Sequence, residues 1–355
     1  MRSYCTSRFG RNDFQSSRLK SHKCPIKNCD ATLVPVAYQK IDGQMRYLPA
    51  CRAHGLRIHP ETFTYFNGTS KAEINLALRR NIWSHPDYYI NRVVKSGAQP
   101  EPWLACYENS EDALVWNICA EISRDKRALS DLLFLMTGKH YPEKPDLYLW
   151  GRKVDLVANT YVPYQPLDRV RQQLERDIRR FPTRPDMMLV IPKKLVVCVE
   201  AKFGGGNPVA DNARTGPGEK PRKVSELIKR YYLNNAYLKS DPIFDAAKPP
   251  EPFYEQLFRN IVFAASMAKI EGPAEWFAVN LRSGHVMNIK RGRPESLPVT
   301  KNVRSFLMPQ YKKHFVHITW EDIFNRVIKV NPRLADLAWY MKNKSFECVR
   351  AFNIM

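Results

Sequence analysis

The chain has 355 residues, enough for one large domain with an appendage or for two ordinary domains at about 150 residues each. A composition of 44% hydrophobic, 12% aromatic and 26% charged residues excludes a disordered chain. Lysine and arginine number 56 against 35 aspartates and glutamates, a net charge of +21, and a surplus of that size sets up a field that attracts polyanions, nucleic acid foremost. No window approaches the roughly 18 apolar residues of a membrane span and no signal-peptide stretch opens the chain, so a cytoplasmic protein is expected. Eight irregularly spaced cysteines point to reduced thiols, with a metal among the uses open to them, and away from a secreted disulfide framework.

Residues 1–22 are rich in serine and arginine and read as a basic arm. Residues 23–70 carry two close ligand pairs, Cys24 with Cys29 and Cys51 with His54, separated by 21 residues. Zinc favours tetrahedral thiolate and imidazole ligands, and this arrangement supplies three sulfurs and one nitrogen. The spacing resembles a zinc ribbon or small finger and predicts one structural Zn2+ with no position left for water. His22 and His59 are substitute ligands, and a set of buried free cysteines is the alternative. Residues 71–102 read as a helical linker, with Ile74, Leu76, Ala77 and Leu78 periodic over 71–83 and a turn at Gln99-Pro100-Glu101-Pro102.

The main domain is placed at 103–355. Ser110 is an N-cap, Glu111 and Asp112 suit the first turn of a helix, and Leu114, Val115, Ile118, Cys119 and Ile122 form its core face. A charged helical stretch at 167–180 ends before Arg184-Pro185-Asp186. Two strands follow, 187–191 and 195–203, joined by a Pro-Lys-Lys turn, the second apolar on both faces as a central strand should be. Glycines at 204–206 end it, a Gly- and Pro-rich loop covers 207–222, and helices resume at 224–238 and 254–269. Strands at 275–281 and 315–319, a helix from Trp320 and a last helix over 332–342 complete an α/β domain.

Glu200 and Lys202 point to one face of their strand because side chains alternate, and 13 residues separate Asp186 from Glu200. A hairpin through Pro192-Lys193-Lys194 would set Asp186 beside Glu200. Two carboxylates and an ammonium on an apolar strand are costly unless they serve each other or a metal. Asp186, Glu200 and the backbone carbonyl of Ala201 can supply the oxygen shell Mg2+ prefers, and Lys202 can orient or deprotonate a nucleophilic water.

Pro185-Asp186 followed by Glu200-Ala201-Lys202 resembles the signature of the PD-(D/E)xK superfamily of restriction-endonuclease-like nucleases. That resemblance implies a mixed central sheet flanked by helices, one or two catalytic Mg2+ ions and hydrolysis of DNA, in restriction or defence against foreign DNA. It also implies a further acid from the domain's first helix; Glu111 is the first choice, also as a metal ligand, and Glu121 the second. Glu175 and Asp177 read as solvated helix charges. Lys229, Arg230 and Arg222 are candidate DNA contacts, as are Arg214, Lys220 and Lys223, against the alternative of a solvated basic face. A repair or recombination nuclease recognising DNA structure, and a non-cutting binding protein on a nuclease-like fold, are the competing functions. A homodimer and an accessory protein of a defence or mobile-element system are the partners considered.

Overall fold

A computed structural model describes residues 18, 23–41, 44–66, 68, 70–97, 101–178, 182–204, 206–207, 209, 224–245, 251–272, 274–285 and 299–354. The arm, apart from Arg18, therefore lies outside the described residues, as do His22, Arg214, Lys220, Arg222 and Lys223.

Near the N-terminus, β1 (Val34–Ile41), β2 (Gln44–Cys51), β3 (Leu56–Ile58) and β4 (Phe63–Tyr65) form an antiparallel meander. Helix α1 (Lys71–Asn81) follows, its start closed by a capping box between Ser70 and Glu73. Asn81 Nδ2 donates to the Ala105 and Tyr107 carbonyls, and Asn117 Nδ2 donates to the Asn81 carbonyl, so this helix packs into the same core as the residues after 103.

The central sheet has seven strands. β5 (Asp146–Leu149), β6 (Arg152–Asp155), β7 (Thr160–Pro163), β8 (Met187–Ile191), β9 (Leu195–Lys202), β10 (Glu275–Arg282) and β11 (Phe315–Thr319) line up in the order β11-β10-β9-β8-β5-β6-β7. β9, β10 and β11 run parallel, and the remaining neighbours pair antiparallel. β8 and β9 are the expected hairpin, with Met187 opposite Val199. The strands β5 to β7 were not expected from the sequence.

Each face of the sheet has its own core. On one side lie α2 (Glu111–Ser123) and α3 (Lys126–Thr137), with Leu189, Val197, Val199 and Ala201 turned towards them. On the other lie α4 (Gln165–Leu174), α5 (Val224–Ile228), α6 (Glu255–Glu271) and α7 (Val299–Phe306), facing Met188, Val190, Val196 and Cys198. The strict alternation of β9 between two dry cores is why it reads as continuously apolar. α4 is shorter than the sequence predicts, ending at Leu174. The chain then bends to bury Glu175, which accepts from the Thr183 amide at 2.7 Å and from the Tyr231 hydroxyl at 2.8 Å. Glu175 is thus a buried anchor and not the solvated charge expected; Asp177 is the exposed one, paired with Arg230 at 2.6 Å.

α8 (Trp320–Ile323) and α9 (Ala335–Asn343) return to the first core, and a short hairpin, β12 (Ser345–Phe346) with β13 (Val349–Arg350), closes the chain against the end of β9. Gly204 is needed there: a Cβ on it would stand 1.7 Å from the Phe346 ring. Among the described residues, no helix is long and apolar enough to cross a membrane.

Candidate active site and metal centre

The register that pairs Met187 with Val199 sets Asp186 opposite Glu200, and Asp186 Oδ2 accepts the Ala201 amide hydrogen at 2.8 Å. Lys202, one pleat beyond Glu200 on the same face, donates to Glu200 Oε1 at 2.5 Å. α2 begins beyond the carboxyl end of β9. Ser110 caps it by accepting from the Ala113 amide, and Glu111 in its first turn reaches back across the strand end. Glu111 Oε2 accepts from the Phe203 amide at 2.8 Å, and Glu111 Oε1 receives the Lys202 ammonium at 3.3 Å. Asn260 of α6 fixes the remaining oxygen of Glu200 at 2.9 Å. Trp320 Nε1 donates to the Lys202 carbonyl at 3.2 Å and secures the end of the strand. Sequence reasoning missed Asn260 and Trp320, which belong to elements with no pattern linking them to β9.

Burial, and then the charge of Glu200, hold the Asp186 carboxyl well above the usual carboxylate range. Burial also raises Glu111, opposed by the nearby Lys202. For Lys202 burial works downward, but Glu111, Glu200 and Asp186 outweigh it and keep the ammonium protonated. Fully ionised, three carboxylates around one ammonium would leave two negative charges in excess; burial and the charge of Glu200 keep a proton on Asp186 instead, and a divalent cation would supply the charge that lets it leave. Lys202 stands between Glu111 and Glu200 in this arrangement.

The structure brings Glu111, Asp186, Glu200 and Lys202 together and leaves Glu121 apart. Glu121, at the far end of α2, accepts from the Ser84 hydroxyl at 2.7 Å and pairs with Arg124 at 3.2 Å. Arg230 is engaged with Asp177, while Lys229 is exposed.

The second cluster is the N-terminal one. The ligand atoms of Cys24, Cys29, Cys51 and His54 all lie within 4.8 Å of one another. Cys29 and Cys51 sulfurs are 3.8 Å apart, and His54 Nδ1 is 3.5 Å from Cys24 Sγ and 3.4 Å from Cys51 Sγ. A tetrahedron with metal–sulfur bonds of about 2.3 Å and a metal–nitrogen bond of about 2.0 Å has edges of about 3.8 and 3.5 Å, so the set can hold an ion such as zinc. Asn28 with φ of 57° and Gly55 with φ of 60° make the tight turns beside the ligands. Arg80 of α1 donates to the His54 carbonyl at 2.8 Å and the Gly55 carbonyl at 2.7 Å, locking the second turn. His59 is not part of the cluster: its Nε2 is 3.4 Å from the Thr64 hydroxyl and its ring lies against Tyr107.

A helix-flanked mixed sheet with an acid and lysine cluster at the carboxyl end of β9 is consistent with a restriction-endonuclease-like protein. The chain matches the family described as Restriction Endonuclease associating with ARP over residues 46–344, and it belongs to that family. No curated protein and no solved structure matches it.

Proposed function

We propose that the protein is a metal-dependent endonuclease of the PD-(D/E)xK type that hydrolyses DNA phosphodiester bonds, in restriction or defence against foreign DNA. The observation that carries this reading is the convergence of Glu111, Asp186, Glu200 and Lys202, three carboxyl groups and one ammonium, from a helix start and two strand ends. Asp186, Glu200, Glu111 and the backbone carbonyl of Ala201 would hold Mg2+. That ion would supply Lewis-acid stabilisation of charge growing on the phosphoryl oxygens and make a bound water more acidic. The chain's own part is positional. Asn260 and the Phe203 and Ala201 amides fix the carboxylates, while Lys202, held protonated, supplies a hydrogen bond and positive charge to the attacked phosphate. The net charge of +21 supplies the attraction for DNA, with Lys229 as an exposed contact.

The three cysteines and His54 hold a structural Zn2+ in this reading, in a module preceding the nuclease domain. A partner protein of the kind in the family's description accompanies it, and a homodimer would present two centres for cutting both strands. The test is incubation of purified protein with plasmid and linear DNA, with and without Mg2+, beside Asp186→Ala and Lys202→Ala. Mg2+-dependent cutting by the wild type, reduced by about a hundredfold or more in each variant, is expected. DNA left intact under every metal and substrate tried would remove the nuclease reading.

A further inference from the structure

The site does not stop at β9. In-register neighbours on parallel strands point to the same side, so Glu200, Asn280 and His317 make one row across β9, β10 and β11, and Lys202, Arg282 and Thr319 make the next. Hydrogen bonds tie the first row together. Asn207, just beyond the glycines that end β9, donates from Nδ2 to Asn280 Oδ1 at 3.1 Å, and Asn280 Nδ2 lies 3.4 Å from His317 Nδ1. Asn280 is wholly buried and Asn207 nearly so, whereas His317 is exposed. With Nδ1 receiving the Asn280 amide hydrogen, a neutral His317 carries its own hydrogen on Nε2.

This arrangement has a cost. Among the described residues Asn207 Oδ1 is buried without a hydrogen-bond partner, and two amides take positions that apolar side chains could fill. What the amides accomplish is to orient an exposed imidazole at the edge of the acid and lysine cluster. In the second row Thr319 caps α8 through Asp322, and Arg282 is the second cation beside Lys202. Both rows lie at the carboxyl ends of parallel strands, where open sheets of this kind bind their ligands.

We propose that His317 and Arg282 form a phosphate-binding track that seats a nucleic-acid backbone alongside the cutting centre. The proposal rests on the nuclease reading above. His317 stands two strand spacings from Glu200, about 10 Å, which is about three nucleotides of rise along a strand. The phosphate it meets is therefore close to the one being cut, and the imidazole N–H and the guanidinium are donors suited to its oxygens.

The test uses the full chain with Ca2+ in place of Mg2+, so that binding is read without cutting. Duplexes carrying a neutral methylphosphonate at successive positions are bound by wild type, His317→Ala, His317→Gln and Arg282→Ala. The expected result is an affinity loss of about tenfold for His317→Ala on duplexes of any sequence. His317→Gln, which keeps a donor, recovers part of it, and with Mg2+ the loss falls chiefly on KM. The decisive sign is in the scan: wild type is sensitive at one phosphate where His317→Ala is not. Wild-type affinity in His317→Ala, or a loss that leaves the methylphosphonate profile unchanged, would overturn the track. A changed profile in a protein that cuts nothing with Mg2+ would instead uphold the track and remove the nuclease reading.

Discussion

The two clusters of ionisable side chains differ in how they are assembled. Cys24, Cys29, Cys51 and His54 come from one short stretch near the N-terminus, and their donor atoms all lie within 4.8 Å of one another, close enough to share one ion. The proposed cutting centre draws Glu111 from a helix start and Asp186, Glu200 and Lys202 from two strand ends, and it packs three buried carboxyl groups around one lysine. If the first holds a metal and the second awaits a cation and a phosphate, as proposed, the fold should depend on the first and be burdened by the second.

The largest expected effects test that burden. Asp186→Asn should lower cleavage by about a thousandfold, yet raise the melting temperature in Mg2+-free buffer. The sign follows from linkage. The folded protein keeps a proton on Asp186 that the unfolded chain releases near its ordinary value of about 4, so stability falls as pH rises from there towards the raised value. The variant lacks that fall. Melting curves over this range that run parallel in the two proteins would show the carboxylate to be no burden.

Cys51→Ser should act in the opposite sense. Cys51 is fully buried, and loss of one ligand should remove the metal and cost on the order of 3–5 kcal/mol, read by urea unfolding beside elemental analysis. Stoichiometric metal with unchanged stability would make the cluster a set of buried thiols.

A smaller effect probes the seam between the regions. Glu108 accepts from the Thr62 hydroxyl on the N-terminal side and from the Glu347 and Cys348 amides of the terminal hairpin, while Lys344 donates to the Glu108 carbonyl at 2.6 Å. Burial pushes Lys344 down to about 8, so the folded protein releases this proton before the unfolded chain does at about 10.4. The cost of burying the ammonium is fully present below about pH 8 and is relieved as pH rises towards 10. Urea midpoints should therefore rise over that window more in wild type than in Lys344→Met, and equal slopes would place the proton elsewhere.

How much could be read from the sequence follows the same division. Glu200 and Lys202 are tied by strand alternation, and the hairpin that brings Asp186 to them announces itself in an apolar run, a short turn and another apolar run. Glu111 is marked by its place in a helix's first turn. The gathering of Cys24, Cys29, Cys51 and His54 is legible from local spacing. β5 to β7 were not, because they are four-residue strands and β6 reads Arg-Lys-Val-Asp, polar enough to pass for loop. Glu175, Glu108 and Arg80 were missed or misread because their partners arrive from distant segments, and a buried carboxylate held by distant donors looks in sequence like any surface charge.

Whether the acid and lysine cluster cuts DNA with Mg2+ is read by a Mg2+ titration of single-turnover plasmid cleavage on protein whose zinc content is followed in the same samples. No cutting without Mg2+, a saturable rise as it is added, and one zinc per chain throughout are expected. Cutting in Mg2+-free buffer, or a rate that tracks zinc content and ignores Mg2+, would contradict it.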